Sequence, residues 1–142
     1  MTPPETETRS VIVERNLPHP PEKVWRALTT NHLIAEWLME TDFRAEPGHR
    51  FGFTQDWGTI ECEVLAVEPQ RSLAYSWGGH ELETVVTWTL TPVPGGTHLR
   101  MEQTGFRKDQ ARNFGGAQAG WPRFLDTLEQ LLGKLNQSGR TT

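Results

Sequence analysis

The segment VVTWTLTPVPGGTHLRMEQ, residues 85–103, decides the fold because it holds two alternating runs joined by a tight turn. Apolar residues occupy every second position of both runs: Val86, Trp88, Leu90, Leu99 and Met101. Polar side chains fill most of the positions between them, and the Pro-Gly-Gly sequence at 94–96 separates the runs. Such alternation across a short turn predicts an antiparallel β-hairpin with one apolar face and one polar face.

The same two-residue period extends on the N-terminal side of this hairpin. The alternating apolar positions there are Phe43, Phe51, Phe53, Ile60, Cys62, Val64, Leu73, Tyr75 and Trp77. Turn-forming sequences separate these runs at 46–48, 56–58, 69–71 and 78–79. Because parallel pairing would need long crossovers, the pattern predicts a six-stranded antiparallel meander that is covered on one face only.

The residues before and after the meander predict one more strand and the helices that cover the sheet. Residues 9–17 alternate and are β-branched, which favours a strand. Two short helices follow, the first beginning at Pro21 and the second capped by Thr30 or Asn31. Apolar residues near the C-terminus recur at helical spacing: Trp121, Leu125, Leu128, Leu132 and Leu135. Because proline lacks an N–H, we expect this helix to start or to kink at Pro122. The fold class is α+β, with the long C-terminal helix against an antiparallel sheet.

Length and composition fit a single domain of 142 residues. We place the domain at residues 9–136 and expect flexible tails at 1–8 and 137–142, which are polar and aperiodic. The formal net charge is -4 and no basic run is present, which argues against nucleic-acid binding. No apolar stretch reaches the roughly 20 residues that cross a bilayer, so we expect no membrane insertion. The N-terminus lacks the pattern of a signal peptide, so we expect a cytoplasmic protein.

Several short motifs occur in a fixed order along residues 9–135. They include PPEKVWRAL at 20–28, EWLM at 36–39, FRAEPGHRFGF at 43–53 and GWPRFLDTL at 120–128. This order resembles the helix-grip fold of the START/SRPBCC superfamily, and the motifs are similar to those of domains like the C-terminal half of the activator of Hsp90 ATPase. The resemblance implies a curved sheet wrapped around the long helix, with a cavity between the two.

Aromatic side chains and a few polar groups on the inner face are the candidates for a ligand site. Rings suit the wall of an apolar pocket, and Cys62, Tyr75 and Gln103 fall in phase with apolar neighbours. The predicted ligand-binding residues are Trp37, Phe53, Cys62, Tyr75, Trp77, Trp88, Gln103, Trp121 and Leu125. The same side chains can instead fill the core, with the polar ones paired to other groups, and the sequence leaves both interpretations open.

We predict no catalytic residue, no metal ion and no cofactor. The five histidines lack metal-ligand spacing, and Cys62 lies between two glutamates that disfavour its thiolate. Arg107, at the junction of the last strand and the helical region, could meet the anionic end of a ligand or lie in a solvated loop. The glycines at 115, 116 and 120 could let a ligand approach the helix backbone or simply allow close packing.

Three classes of function stay open. We expect a carrier or sensor that encloses a small apolar or aromatic molecule, because the chain supplies aromatic walls and polar anchors but no positioned acid or base. A cyclase or aromatase would use the same cavity, whereas a protein-interaction module would use the exposed face of the sheet or helix. A homodimer through a sheet edge is compatible with the pattern. The resemblance allows a chaperone partner, but we do not expect one, because about eight residues precede the first strand, where the Hsp90 activator has a further domain.

Overall fold

The computed structural model describes residues 8–56, 58–79 and 82–141, and the side chains of residues 136–141 lie outside this description. Its elements in chain order are β1 (Thr8–Leu17), α1 (Pro21–Thr29), α2 (Asn31–Trp37), β2 (Glu40–Thr41), β3 (Arg50–Gln55), β4 (Gly58–Glu68), β5 (Ser72–Gly79), β6 (Leu82–Val93), β7 (Gly96–Arg107), a 3₁₀ turn (Lys108–Gln110) and α3 (Ala111–Thr141). The strands form one antiparallel sheet in the order β1-β7-β6-β5-β4-β3-β2.

This architecture confirms the predicted α+β helix-grip fold, with two short helices after the first strand and a long C-terminal helix. The meander from β2 to β7 pairs each strand with the next, and β1 pairs with β7 because the chain returns to the first strand at the end of the sheet. The core lies between the apolar face of the sheet and the helices. No helix of the described part of the chain is long and apolar enough to cross a membrane.

The strand predicted around Phe43 is displaced. β2 consists of Glu40 and Thr41 alone, and Phe43 follows it as a buried residue outside the ladder. The side chain of Asp42 accepts a hydrogen bond from the Gly52 backbone N–H at 2.9 Å, which takes the place of a further ladder bond. Phe43 then packs edge-to-face on Phe51, with ring centroids 5.0 Å apart. The sequence pattern correctly predicted that Phe43 faces the core, but Phe43 reaches the core from a loop and not from a strand.

Of the two alternatives for Pro122, a start of the last helix there is wrong, because α3 begins at Ala111 and contains Pro122 in its interior. A proline there removes one backbone hydrogen bond, at a cost of about 3 kcal/mol. The buried side chains of Trp121 and Leu125 on the two sides of Pro122 hold this part of the helix against the core and offset that cost. The backbone of α3 continues past residue 136, and β1 starts at Thr8, so each predicted domain limit falls inside an element. Residues 1–7, most of the predicted N-terminal tail, lie outside the described residues.

The β6–β7 hairpin packs its turn against the end of β1. Pro94 and Gly95 form the turn, and Gly95 has a φ of 79°, which glycine adopts readily. Gly96 opens β7 opposite Val93, and its α-carbon faces the Leu17–Pro18 backbone closely enough to leave no room for a side chain. The buried hydroxyl of Thr97 donates a 2.7 Å hydrogen bond to the His19 carbonyl. The hairpin is thereby joined to the segment between β1 and α1.

Candidate functional site

A cleft of about 440 Å³ opens between the ends of β4 to β7 and the N-terminal part of α3. Most of its wall is apolar: Met39, Ile60, Trp77, Leu82, Phe106, Ala117, Trp121 and Phe124. Glycines at 78, 116 and 120 and the polar residues Thr59, Gln103 and Asn113 complete it. This volume lies within the range of small-molecule sites, roughly 300–1,000 Å³. None of the described residues that line the cleft has a titratable side chain.

The structure brings three of the predicted ligand-binding residues to this cleft, namely Trp77, Gln103 and Trp121. The others do not line it and lie in the packed interior: Trp37, Phe53, Cys62, Tyr75, Trp88 and Leu125. All nine are buried, and the six that lie on strands thereby confirm the predicted inward-facing phase of those strands. Their contact with a ligand stays a prediction.

Trp77 and Trp121 form the floor of the cleft, and further aromatic rings continue from them into the packed interior. Trp77 and Trp121 have centroids 5.2 Å apart, and Trp121 meets Trp88 edge-to-face at 5.7 Å. Trp88 in turn contacts Trp37 edge-to-face at 5.7 Å, and Phe53 lies 5.0 Å from Trp77. Because these rings fill the space between the sheet and the helices, the cleft lies at the end of the fold where α3 begins.

A series of buried hydrogen bonds links the helix α3 to three strands beside the cleft, namely β7, β6 and β5. The Trp121 indole Nε1–H donates to Gln103 Oε1 at 2.7 Å, and Gln103 Nε2 donates to Thr84 Oγ1 at 2.9 Å. The Thr84 hydroxyl donates to the Trp77 carbonyl at 2.7 Å. An indole nitrogen can only donate, so it fixes which end of the Gln103 amide is oxygen. Each group in the series therefore donates to the next, from the Trp121 indole to the Trp77 carbonyl.

Two further buried groups, Cys62 and Tyr75, lie behind the aromatic floor. Burial raises the pKa of the Cys62 thiol, and the charges of Asp42 and Glu61 raise it further. Burial also raises the pKa of the Tyr75 hydroxyl, although the 2.9 Å hydrogen bond from the Trp88 indole opposes this effect. Both groups stay protonated in the folded protein at neutral pH, and a protonated thiol is a poor nucleophile.

We expect these two groups to make the fold less stable in alkali. Above the ordinary pKa values of a thiol and a phenol, the unfolded chain releases protons that the folded chain retains, so stability falls as the pH rises. The free energy of unfolding should fall by roughly 1 kcal/mol per pH unit for each group that ionises only in the unfolded chain. Urea unfolding at pH 8, 9 and 10 measures this slope, and Cys62→Ala should make it shallower. Equal stability at pH 8 and pH 10 would contradict the expectation.

Other side chains singled out in the sequence lie away from the cleft. Arg107 donates to Asp109 at 3.2 Å and does not line the cleft, so the alternative of a ligand-facing arginine finds no support there. Gly116 and Gly120 do line it, as one interpretation of the glycine cluster required. A Cβ added at Gly116 would meet nothing within 4 Å. No three His, Cys, Asp or Glu side chains of the described chain lie together as a metal site would require.

Most of the apolar wall, including Met39, Leu82, Phe106 and Phe124, was not among the predicted ligand-binding residues. The alternation of β7 makes Gln103 an inward-facing residue and predicts that Phe106 faces outward. The backbone changes phase at Gly105, which has a φ of 107°, and Phe106 is therefore buried. Phe124 is half-buried on α3, one step from Leu125, and its ring meets that of Trp121 at 5.6 Å. Phe124 lies beside the apolar stripe of Trp121 and Leu125 and widens it, and this position on the helix is the signal that could have identified Phe124.

Comparisons with known proteins agree with this fold. The model of one family, described as activator of Hsp90 ATPase homolog 1-like protein, matches residues 18–133. The protein MLL2253 from Mesorhizobium loti is 58% identical over 89% of this chain and 98% of its own, with a TM-score of 0.87. The protein BH1534 from Bacillus halodurans is 27% identical over 87% of this chain and 96% of its own, with a TM-score of 0.78.

A third solved structure is DynU16, a protein of the dynemicin biosynthetic locus. It is 27% identical over 87% of this chain, which covers 47% of DynU16, and the TM-score is 0.77. Among curated proteins, none matches the chain.

Proposed function

The chain belongs to the activator of Hsp90 ATPase homolog 1-like family, and we propose that it binds a small apolar or amphipathic ligand in the cleft without carrying out acid–base chemistry there. The observation that carries the proposal is the composition of the cleft wall. It joins aromatic and aliphatic side chains to a few polar groups, which is the usual composition of a ligand site.

The same wall argues against a cyclase or aromatase. General acid–base catalysis needs a titratable group within hydrogen-bond reach of the substrate, and the described lining residues offer none. Cys62 and Tyr75 are titratable, but they are buried behind the floor and held protonated. His32 and Glu36, a His–carboxylate pair four residues apart on α2, are exposed and lie outside the cleft wall.

An interaction module has less support than a binding site. The large exposed apolar side chains of the described residues are Ile12 and Leu65, which lie on β1 and β4. Three other strands separate β1 from β4 in the sheet, so these two residues form no continuous patch. A protein-docking surface of the kind that such patches indicate is therefore not favoured.

The proposed site is tested with a substitution on α3 that places a side chain in the cleft and leaves the core unchanged. In Gly116→Leu, the new side chain enters the cleft, because Gly116 lines it and a Cβ there meets no other atom. Gly115→Leu is the matched control, since a Cβ at Gly115 also meets nothing within 4 Å but Gly115 does not line the cleft. Each change removes a helix glycine and should stabilise α3 by roughly 0.5–1 kcal/mol.

The measurement is a titration with N-phenyl-1-naphthylamine, an uncharged dye that fluoresces in apolar sites. We expect saturable binding to the wild-type protein and to Gly115→Leu, and a dissociation constant at least about tenfold higher for Gly116→Leu. Thermal unfolding of both variants shows whether they remain folded. Equal binding by the two variants, or no saturable binding by the wild-type protein, would contradict the proposed site.

A further inference from the structure

We propose that the ligand of this cleft is an uncharged, planar aromatic molecule that carries a hydrogen-bond acceptor, such as a ketone oxygen, for the second N–H of Gln103. This inference rests on the proposed function and specifies the class of ligand. It is carried by three observations: the hydrogen bonds of Gln103, the charge of the surroundings of the cleft, and the angles between the aromatic rings of its wall.

One of the two N–H donors of the Gln103 amide has no acceptor among the described residues. The indole of Trp121 fixes Oε1 as the acceptor, so the other end of the amide is Nε2 with two N–H groups. One of them donates to Thr84, whose own proton is committed to the Trp77 carbonyl. The described residues provide no acceptor for the other. Gln103 is 1% exposed and lines the cleft, so an acceptor on a bound molecule can satisfy this buried donor.

The surroundings of the cleft disfavour a charged ligand. Its described lining has no Asp, Glu, His, Lys or Arg, so a bound ion would lose its hydration without gaining a counter-charge. A neighbouring groove shares Trp77 and Leu82 with the cleft and contains Glu61 and Glu83, which makes an anion still less favourable. Arg107, the cation at the start of the helical region, pairs with Asp109 at 3.2 Å.

The rings of the wall favour a flat aromatic guest. Trp77 and Trp121 are inclined at 57° to each other, and Phe124 meets Trp121 at 65°. Rings at such angles present both faces and edges to the cleft that they line, and aromatic pairs gain most in offset or edge-to-face contact. A planar ligand can therefore meet a face of one ring and an edge of another while its acceptor reaches Gln103.

The test compares three molecules of nearly the same shape by equilibrium dialysis against the wild-type protein. 2-Acetylnaphthalene has the acceptor, 2-ethylnaphthalene lacks it, and 2-naphthoate replaces it with a charge. We expect the ketone to bind most tightly, the ethyl compound several-fold more weakly, and the carboxylate at least about tenfold more weakly. Equal binding of the ketone and the ethyl compound, or tighter binding of the carboxylate, would overturn the inference.

A variant of Gln103 tests whether its amide N–H causes the preference for the ketone over the ethyl compound. In Gln103→Met, a side chain of similar length lacks both N–H groups, so the ketone oxygen would lose its hydration without gaining a donor. The ratio of ketone to ethyl binding should then fall to one or below. Because this ratio is taken within one protein, a general loss of affinity cancels from it. A ratio unchanged from the wild-type value would show that Gln103 is not the donor. If Gln103→Met does not fold, the wild-type comparison alone decides. Absence of binding for all three molecules and for the naphthylamine dye would instead refute the proposed function.

Discussion

Replacement of Trp88 by alanine is expected to lower the free energy of unfolding by about 3–5 kcal/mol, the range for removal of a fully buried large aromatic side chain. Trp88 is 0% exposed, in the middle of β6, and its ring contacts the indoles of Trp37 and Trp121 edge-to-face. The substitution opens a cavity under α2 and α3 and also removes the hydrogen-bond partner of the Tyr75 hydroxyl. A buried polar group left without its partner adds to the loss.

Urea unfolding followed by circular dichroism measures this effect, and Trp25→Ala serves as the control. Trp25 lies on α1 and is only partly buried against the core, so its replacement should cost clearly less. Trp88→Phe keeps a ring but loses the N–H, and it should fall between the wild-type protein and Trp88→Ala. A loss from Trp88→Ala no larger than that from Trp25→Ala would show that the interior is not packed as described.

Gly96→Ala is the second change with a large expected effect, and the neighbouring Gly95→Ala should cost less. A Cβ at Gly96 would overlap the carbonyl oxygen of Leu17 and crowd Pro18, both of which are backbone. The β6–β7 hairpin and the end of β1 would have to move apart, and we expect a loss of several kcal/mol. Gly95 has the positive φ, but a Cβ there meets nothing within 4 Å, so only about 1–2 kcal/mol of backbone strain applies.

Thermal unfolding of the two glycine variants, read at equal protein concentration, decides between steric overlap and turn strain. If Gly95→Ala is the more damaging of the two, then the turn conformation matters more than the contact with β1, and the close approach at Gly96 is not as described. Because the two residues are adjacent, differences in turn exposure and in the unfolded chain largely cancel.

Much of the fold could be predicted from the sequence because its two periods are clear. Alternation identified the inward-facing residues of five strands, and helical spacing identified the face of α3. The errors occur where a single tertiary contact outweighs the local rule. Asp42 replaces a ladder bond and ends β2 before Phe43, and packing of Trp121 and Leu125 carries the helix through Pro122.

The site was less predictable, because periodicity tells which face a residue occupies but not how closely the opposite layer approaches it. Tyr75, Trp77 and Trp88 all point inward from neighbouring strands, yet only Trp77 reaches the cleft. The difference depends on where α3 begins and on the absence of side chains at Gly116 and Gly120. A local pattern contains no information on the distance between helix and sheet.

The two helix glycines on the cleft wall have a consequence for how this domain can diversify. A Cβ at Gly116 touches nothing, and one at Gly120 meets only the Phe124 ring at 3.8 Å, an ordinary contact. The size of the cleft thus depends on two positions that contribute little to the stability of the fold, whereas the buried indoles of its floor contribute much. Substitutions at these two positions during evolution can change which molecules the cleft admits and leave the fold intact.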